Sequence, residues 1–291
     1  MSFGDLWEPR PLFPSIDTMS TAIVRIYTPD GFVIAAEGRK YNLETKTVLS
    51  GSVQKIFPIE DAGKRLAYTI SGTVELTPKG SSEVVFDCAR AIHHAIEALA
   101  TSNFKSLWHY GEAISKLLAA LPEQAHHVLI GDEPPTIISL AGYYKGRPKE
   151  VEVKMFYDGQ DPKVSVDSPR RGYPVGCGSF DVLVALLTGT RTELLQAYRT
   201  PFVDFHYETV TFPQSIEVAK NAVAAQCDPE ALQLDPMCIA MGGHIHLCTI
   251  TPDAFRWVIE PLKAPAQFRP ATPTLAPQAV CVKCIITEMS Y

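Results

Sequence analysis

The chain reads Thr21-Ala22-Ile23-Val24-Arg25-Ile26-Tyr27-Thr28-Pro29-Asp30-Gly31-Phe32-Val33-Ile34-Ala35-Ala36-Glu37-Gly38-Arg39 near its start. β-Branched and aromatic residues dominate on both sides of Asp30-Gly31. That dipeptide, preceded by Pro29, is a strong signal for a tight turn between two antiparallel strands. Thr21 stands where the first strand begins. Glu37 and Arg39 stand where the second ends. Farther on, Val53-Gln54-Lys55-Ile56-Phe57-Pro58-Ile59 reads as a third strand with one lysine, Lys55.

The rest of the composition bounds what this hairpin belongs to. A chain of 291 residues admits one large domain or two small ones. The net charge of −6, with no long basic run, argues against nucleic acid or an anionic membrane as partner. No apolar run approaches the ~18 residues that suggest a membrane span. The first residues lack the basic region and apolar stretch of a secretory signal, so the expected location is cytoplasmic. Cysteine occurs at seven scattered positions, an odd number, which fits reduced thiols better than a disulfide framework. No internal repeat is visible.

Residues 1–20 carry Pro9, Pro11 and Pro14 without periodicity and read as an irregular extension. They are a surface arm or a propeptide, unless translation begins at Met19. β structure is expected to continue through Leu66–Ile70 into Ser71-Gly72-Thr73. Apolar residues at a period near 3.6 then predict helices over 83–101 and 104–121, the second ending before Pro122 and carrying exposed-looking Trp108 and Tyr110. Strands are expected at 127–131, 136–140 and 151–156. Val175-Gly176-Cys177-Gly178-Ser179 opens a helix over 179–197, and another follows over 215–227. A strand over 239–250 contains Gly242-Gly243, and Asp253–Trp257 turns into a last strand. From Pro261 the chain is again proline-rich, with one more strand candidate at 279–286.

In this order the motifs resemble a proteasome β-type subunit and its bacterial relatives. That family has a threonine opening the first strand, an Asp-Gly or Asn-Gly turn, Ala-Ala-Asp-x-Arg, and then a Lys-Ile-Phe-like strand. Thr21, Asp30-Gly31, Ala35-Ala36-Glu37-Gly38-Arg39 and Lys55-Ile56-Phe57 follow it, with a somewhat longer interval before Lys55. Ser71-Gly72-Thr73, the glycines around Cys177 and Gly242-Gly243 extend the likeness over roughly residues 21–260. The resemblance implies an α/β (α+β) fold, the four-layer α-β-β-α sandwich of the N-terminal-nucleophile hydrolase type. Residues 1–20 are then an extension or propeptide, 21–260 the hydrolase-like domain and 261–291 a proline-rich C-terminal extension with one strand.

The resemblance also implies a chemistry. Cutting the bond before Thr21 would give one residue both a hydroxyl nucleophile and a free α-amine. The amine's pKa, near 8, leaves part of it neutral and able to act as base. Lys55 would tune the amine, Glu37 would hold Lys55, and the Gly72 N–H would receive the oxyanion. Arg39, Cys177, Asp235 and Cys238 are possible supporting residues. The chain departs from the family in four places. Glu37 replaces an aspartate, Ser20 a glycine and Cys177 a serine, and Cys238 and Met241 occupy an Asp-x-x-Ser pair for which Asp235 is a candidate substitute.

The function implied is a threonine-type hydrolase of peptide or other amide bonds. The alternatives are a non-catalytic ring or scaffold subunit, and a small-substrate amidase or transferase. Self-association, possibly as a ring, is expected, with any regulatory ATPase or activator unidentified. No cofactor is implied. The His244-x-His246 pair and the Cys281-x-x-Cys284 spacing could in principle bind metal, but buried or edge-facing polar residues are the default reading, and no metal site is expected.

Overall fold

The computed structural model describes residues 21–42, 45–61, 63–76, 86–119, 135–157 and 161–262. In chain order the strands are β1 (Ile23–Thr28), β2 (Gly31–Ala36), β3 (Lys40–Asn42), β4 (Thr47–Ser50), β5 (Ile56–Asp61), β6 (Lys64–Ser71), β7 (Glu75–Leu76), β8 (Phe86–Asp87), β9 (Thr136–Tyr144), β10 (Arg147–Met155), β11 (Lys163–Asp167), β12 (Val175–Cys177), β13 (His246–Ile250) and β14 (Phe255–Ile259). The helices are α1 (Cys88–Leu99), α2 (Leu107–Leu118), α3 (Phe180–Thr188) and α4 (Phe212–Gln226).

Two five-stranded sheets dominate, in the orders β12-β1-β2-β13-β14 and β11-β10-β9-β6-β5. The opening hairpin pairs Thr28 with Gly31 and Ile23 with Ala36, so only Pro29 and Asp30 form the turn. Its continuous apolar character has a direct cause: both faces are covered. Ile23, Phe32, Ile34, Cys248 and Ile250 face Ile56, Ala67, Ala141 and Tyr143 of the other sheet. The alternate residues Val24, Ile26, Val33 and Ala35 pack instead with Val182, Leu186, Val218 and Ala222 of α3 and α4. On the second sheet, Leu66, Ile70, Ile138 and Leu140 meet Ile92, Leu99, Leu107 and Ile114 of α1 and α2. Three apolar cores therefore lie side by side.

Helix limits follow local chemistry more closely than periodicity did. Asp87, Ser106, Ser179 and Thr211 each accept a backbone N–H from the first turn of the helix that follows. Such caps satisfy donors that a helix start leaves without partners. Thus α1 starts at Cys88, later than the expected residue 83, and α4 starts before residue 215, with Pro213 in its first turn. The helix expected to run to residue 197 stops at Thr188, because Gly189 adopts a left-handed conformation. Residues 236–240 form a short 3-10 turn rather than strand, and β13 begins only at His246.

Other expectations need correction. Tyr110 is fully buried against Phe104, while Trp108 on the same helix is about half-exposed. β11 falls where no strand is expected, and β12 lies in the stretch expected to open a helix. β11 alternates exposed and half-buried residues along a sheet edge, and β12 is three residues long. The strands expected at 136–140 and 151–156 extend toward each other until only Lys145 and Gly146 form the turn, with Pro148 paired to Tyr143 within the β9–β10 ladder. The strands expected at 127–131 and 279–286 lie outside the described residues.

Candidate functional site

Thr21 lies two residues before β1 and is buried, as is Lys55, the residue immediately before β5. The two come from different sheets. Lys55 Nζ donates to Thr21 Oγ1 at 3.3 Å. It also pairs with Glu37 Oε1, whose side chain is wholly excluded from solvent. The other Glu37 oxygen, Oε2, accepts the Arg39 N–H at 2.6 Å and the Gly242 N–H at 3.2 Å. Every partner of this carboxylate is a donor, the arrangement an ionised acid requires. Burial pushes the Glu37 carboxyl above its ordinary value, while Lys55 and the two N–H groups hold it down.

The backbone explains how these side chains converge. Glu37 immediately follows β2, and its N–H bonds back to the Ala22 carbonyl, which ties it to the residue after Thr21. Two further bonds fix the segment before Lys55: Val53 N–H to Gly38 O, and His244 N–H to Gly51 O. Gly242 has φ near +145°, and a Cβ there would overlap the Arg39 guanidinium. The positive φ, a conformation that other residues rarely adopt, is what makes glycine the residue suited to donate to Glu37 from here.

Gly72 directly follows β6, whose Thr69 pairs with Ile56, so it sits at the Lys55 end of that pair of strands. Its neighbour Ser71 places Oγ 3.1 Å from Cys177 Sγ. Cys177 is in turn the strand partner of Ile23. The Gly72 φ of +83° is left-handed, and a Cβ would overlap the Pro135 carbonyl oxygen. Beneath this loop, the Thr136 hydroxyl donates to the Thr73 carbonyl and lies 2.5 Å from the Tyr157 hydroxyl.

The supporting candidates divide. Arg39 Nη1 donates to Ile239 O at 3.0 Å, and its backbone N–H serves Glu37. Cys177 touches Ser71, and burial raises its thiol above the ordinary value. Asp235 accepts the Met237 N–H at 2.8 Å and caps the 3-10 turn. No hydrogen bond joins it to Thr21 among the described residues. Cys238 is buried in that turn, and its thiol is pushed up to about 12, first by burial. Neither thiol is poised as a thiolate at neutral pH.

The two histidines of His244-x-His246 have different partners. Only His246 is in the strand, and it is buried, with Nε2 accepting the Lys55 N–H at 2.9 Å. His244 Nε2 lies 2.7 Å from the Glu260 carbonyl oxygen. The bond from His246 to Lys55 spans 191 residues of sequence, and spacing contains no sign of it. Gly242 was legible as part of a double-glycine motif but not as a donor to Glu37.

No family model matches the chain, and no curated protein does. Among solved structures, Anbu (ancestral beta-subunit) from Yersinia bercovieri is similar, with a TM-score of 0.51 and 9% sequence identity over 82% of this chain and 87% of that one. At that identity the likeness concerns the fold alone, and it supports a proteasome-like fold for this chain.

Proposed function

We propose that this protein is a threonine-type N-terminal-nucleophile hydrolase that cleaves peptide or other amide bonds once Thr21 becomes the first residue. The observation that carries this reading is the buried Thr21–Lys55–Glu37 line, with Lys55 Nζ 3.3 Å from the Thr21 hydroxyl. The three side-by-side cores are read as the four-layer α-β-β-α sandwich of that class.

In the first step the Thr21 α-amine takes the hydroxyl proton as Oγ1 bonds to the substrate carbonyl carbon. The Lys55 charge disfavours a second cation beside it, which keeps the amine neutral more of the time. The Gly72 N–H receives the oxyanion, a role for which one donor is worth about 3–4 kcal/mol. Collapse breaks the C–N bond, the amine leaves with the proton held by Thr21 N, and an ester remains on Oγ1. Water then hydrolyses that ester by the same proton route. Acylated by Ser20, the Thr21 nitrogen is an amide and no base, so the intact chain is silent.

This reading makes residues 1–20 a propeptide, 21–260 the catalytic domain and 261–291 an extension, in a cytoplasmic protein. The test is to compare the full chain with one beginning at Thr21 against a panel of peptide and amide substrates. The shortened chain is expected to turn over substrate. The full chain is expected to do so only as its Ser20–Thr21 bond is cut, slowly because Ser20 is bulkier than glycine, and not at all with Thr21→Ala. An inert shortened chain overturns the reading.

The engagement of Asp235 in a cap, with no hydrogen bond to Thr21 among the described residues, favours a second reading, a non-catalytic ring subunit. Both readings include self-association. Light scattering at micromolar concentration is expected to give a mass several times that of one chain, and a monomer would count against assembly.

A further inference from the structure

Lys55 has two anchors, and only its side-chain anchor belongs to the proposed site. Its ammonium is held by Glu37, while its backbone N–H is held by the imidazole of His246, from the other sheet. His246 pairs with Ala36 across the β2–β13 ladder, one residue before Glu37. Gly242, four residues before His246, donates to Glu37 Oε2. The short segment from Gly242 to His246 thus grips both members of the ion pair. It is itself tied to the residues before Lys55 by the His244 N–H bond to Gly51 O at 2.7 Å.

We propose that His246 is a positioning residue for Lys55, its Nε2 being the fixed acceptor that sets where the lysine leaves the backbone. An imidazole can accept at Nε2 only if that nitrogen carries no proton, so the ring is the neutral Nδ1–H tautomer. Burial supports this by holding the ring neutral down to about pH 4; the hydrogen bond from the ring to the His244 backbone acts against it, and the Lys55 charge acts with it. Glu37, one residue beyond its strand partner Ala36, is the nearby acid, and Trp257 offers only an uncharged ring at 6.3 Å. A side chain that could not accept would leave the Lys55 N–H buried without a partner and free the segment before β5 to shift. Lys55 Nζ would then move relative to Thr21 Oγ1, and misplacement of a reacting group by about 1 Å can cost about 100-fold in rate.

The placement of Lys55 stands independently of what Lys55 does; only the rate effect rests on the hydrolase reading. The experiment therefore pairs nitrogen NMR of the imidazole and amide hydrogen exchange on the full chain with kinetics on the chain beginning at Thr21. In the wild type, His246 is expected to show an unprotonated Nε2 and a protonated Nδ1 from pH 5 to 8, and the Lys55 amide to be strongly protected. His246→Leu is expected to remove that protection and to lower kcat about 10- to 100-fold, with KM little changed. His246→Gln, whose amide oxygen can occupy the Nε2 position, is expected to restore protection and most of the rate. A proton on Nε2 in the wild type, or equal Lys55 protection in the leucine variant, overturns the proposal. If no variant has activity but protection follows the acceptor, the positioning role stands and the hydrolase reading fails.

Discussion

A chain beginning at Thr21 and carrying Lys55→Met is expected to lose about 100- to 10,000-fold in kcat, the range typical of a lost proton-transfer or charge-tuning group. Methionine keeps an unbranched apolar stem as far as the ε position and removes the charged nitrogen 3.3 Å from the Thr21 hydroxyl. The same change strands Glu37, which is fully excluded from solvent. Breaking one side of a buried pair costs about 3–5 kcal/mol when the remaining charge cannot escape. Here the carboxyl escapes in part by taking up a proton. Adding Glu37→Gln removes the stranded acid, so the double variant is expected to regain much of the stability and none of the activity. Calorimetry and kinetics on the single and double variants check this. Recovery of activity in the double variant would make the pair structural only.

The pair also gives a pH signature in which rate and stability move in opposite directions. Burial raises the Glu37 carboxyl above 4.5 in the fold. Between the unfolded and folded values the native state binds more protons, so this group's contribution to stability is greatest at low pH and falls as pH rises through the folded pKa. The ionised pair that the proposed reaction uses forms over that same rise. The acid limb of kcat is therefore expected above the ordinary glutamate range and absent in Glu37→Gln. A limb that persists unchanged in that variant would assign it to another group.

The second large effect is expected at Gly72. Gly72→Ala puts a side chain on a residue with φ of +83° and drives it into the Pro135 carbonyl. Holding a non-glycine residue in a sparsely populated backbone region costs about 1–3 kcal/mol. The overlap adds to that unless the loop moves, and Thr136, bonded to the Thr73 carbonyl, resists the movement. Two outcomes follow together: a lower melting temperature, and a kcat lowered about 100- to 1,000-fold because the N–H no longer points at the developing oxyanion. A variant that loses stability but keeps its kcat would remove Gly72 from the site while leaving Thr21 and Lys55 in it.

Much of the architecture was legible in local chemistry. Asp30-Gly31 between two apolar runs determined the hairpin, and the cap residues Ser106 and Ser179 begin helices near where periodicity put them. Short edge strands were not legible, because β11 and β12 expose much of their surface and have weak apolar patterns. Nor was the burial of Tyr110, since an aromatic side chain on a helix is apolar whichever way it faces. Thr21, Glu37, Lys55 and Gly72 could be nominated in order along the chain, but order contains no distances. Whether a lysine ahead of one sheet reaches a threonine ahead of the other depends on how the two sheets pack, through Phe32, Ile34, Ala67 and Tyr143. The bond from Lys55 to His246 has the same origin. It joins residues 191 positions apart, and only the face-to-face packing of two sheets brings such groups within hydrogen-bonding range.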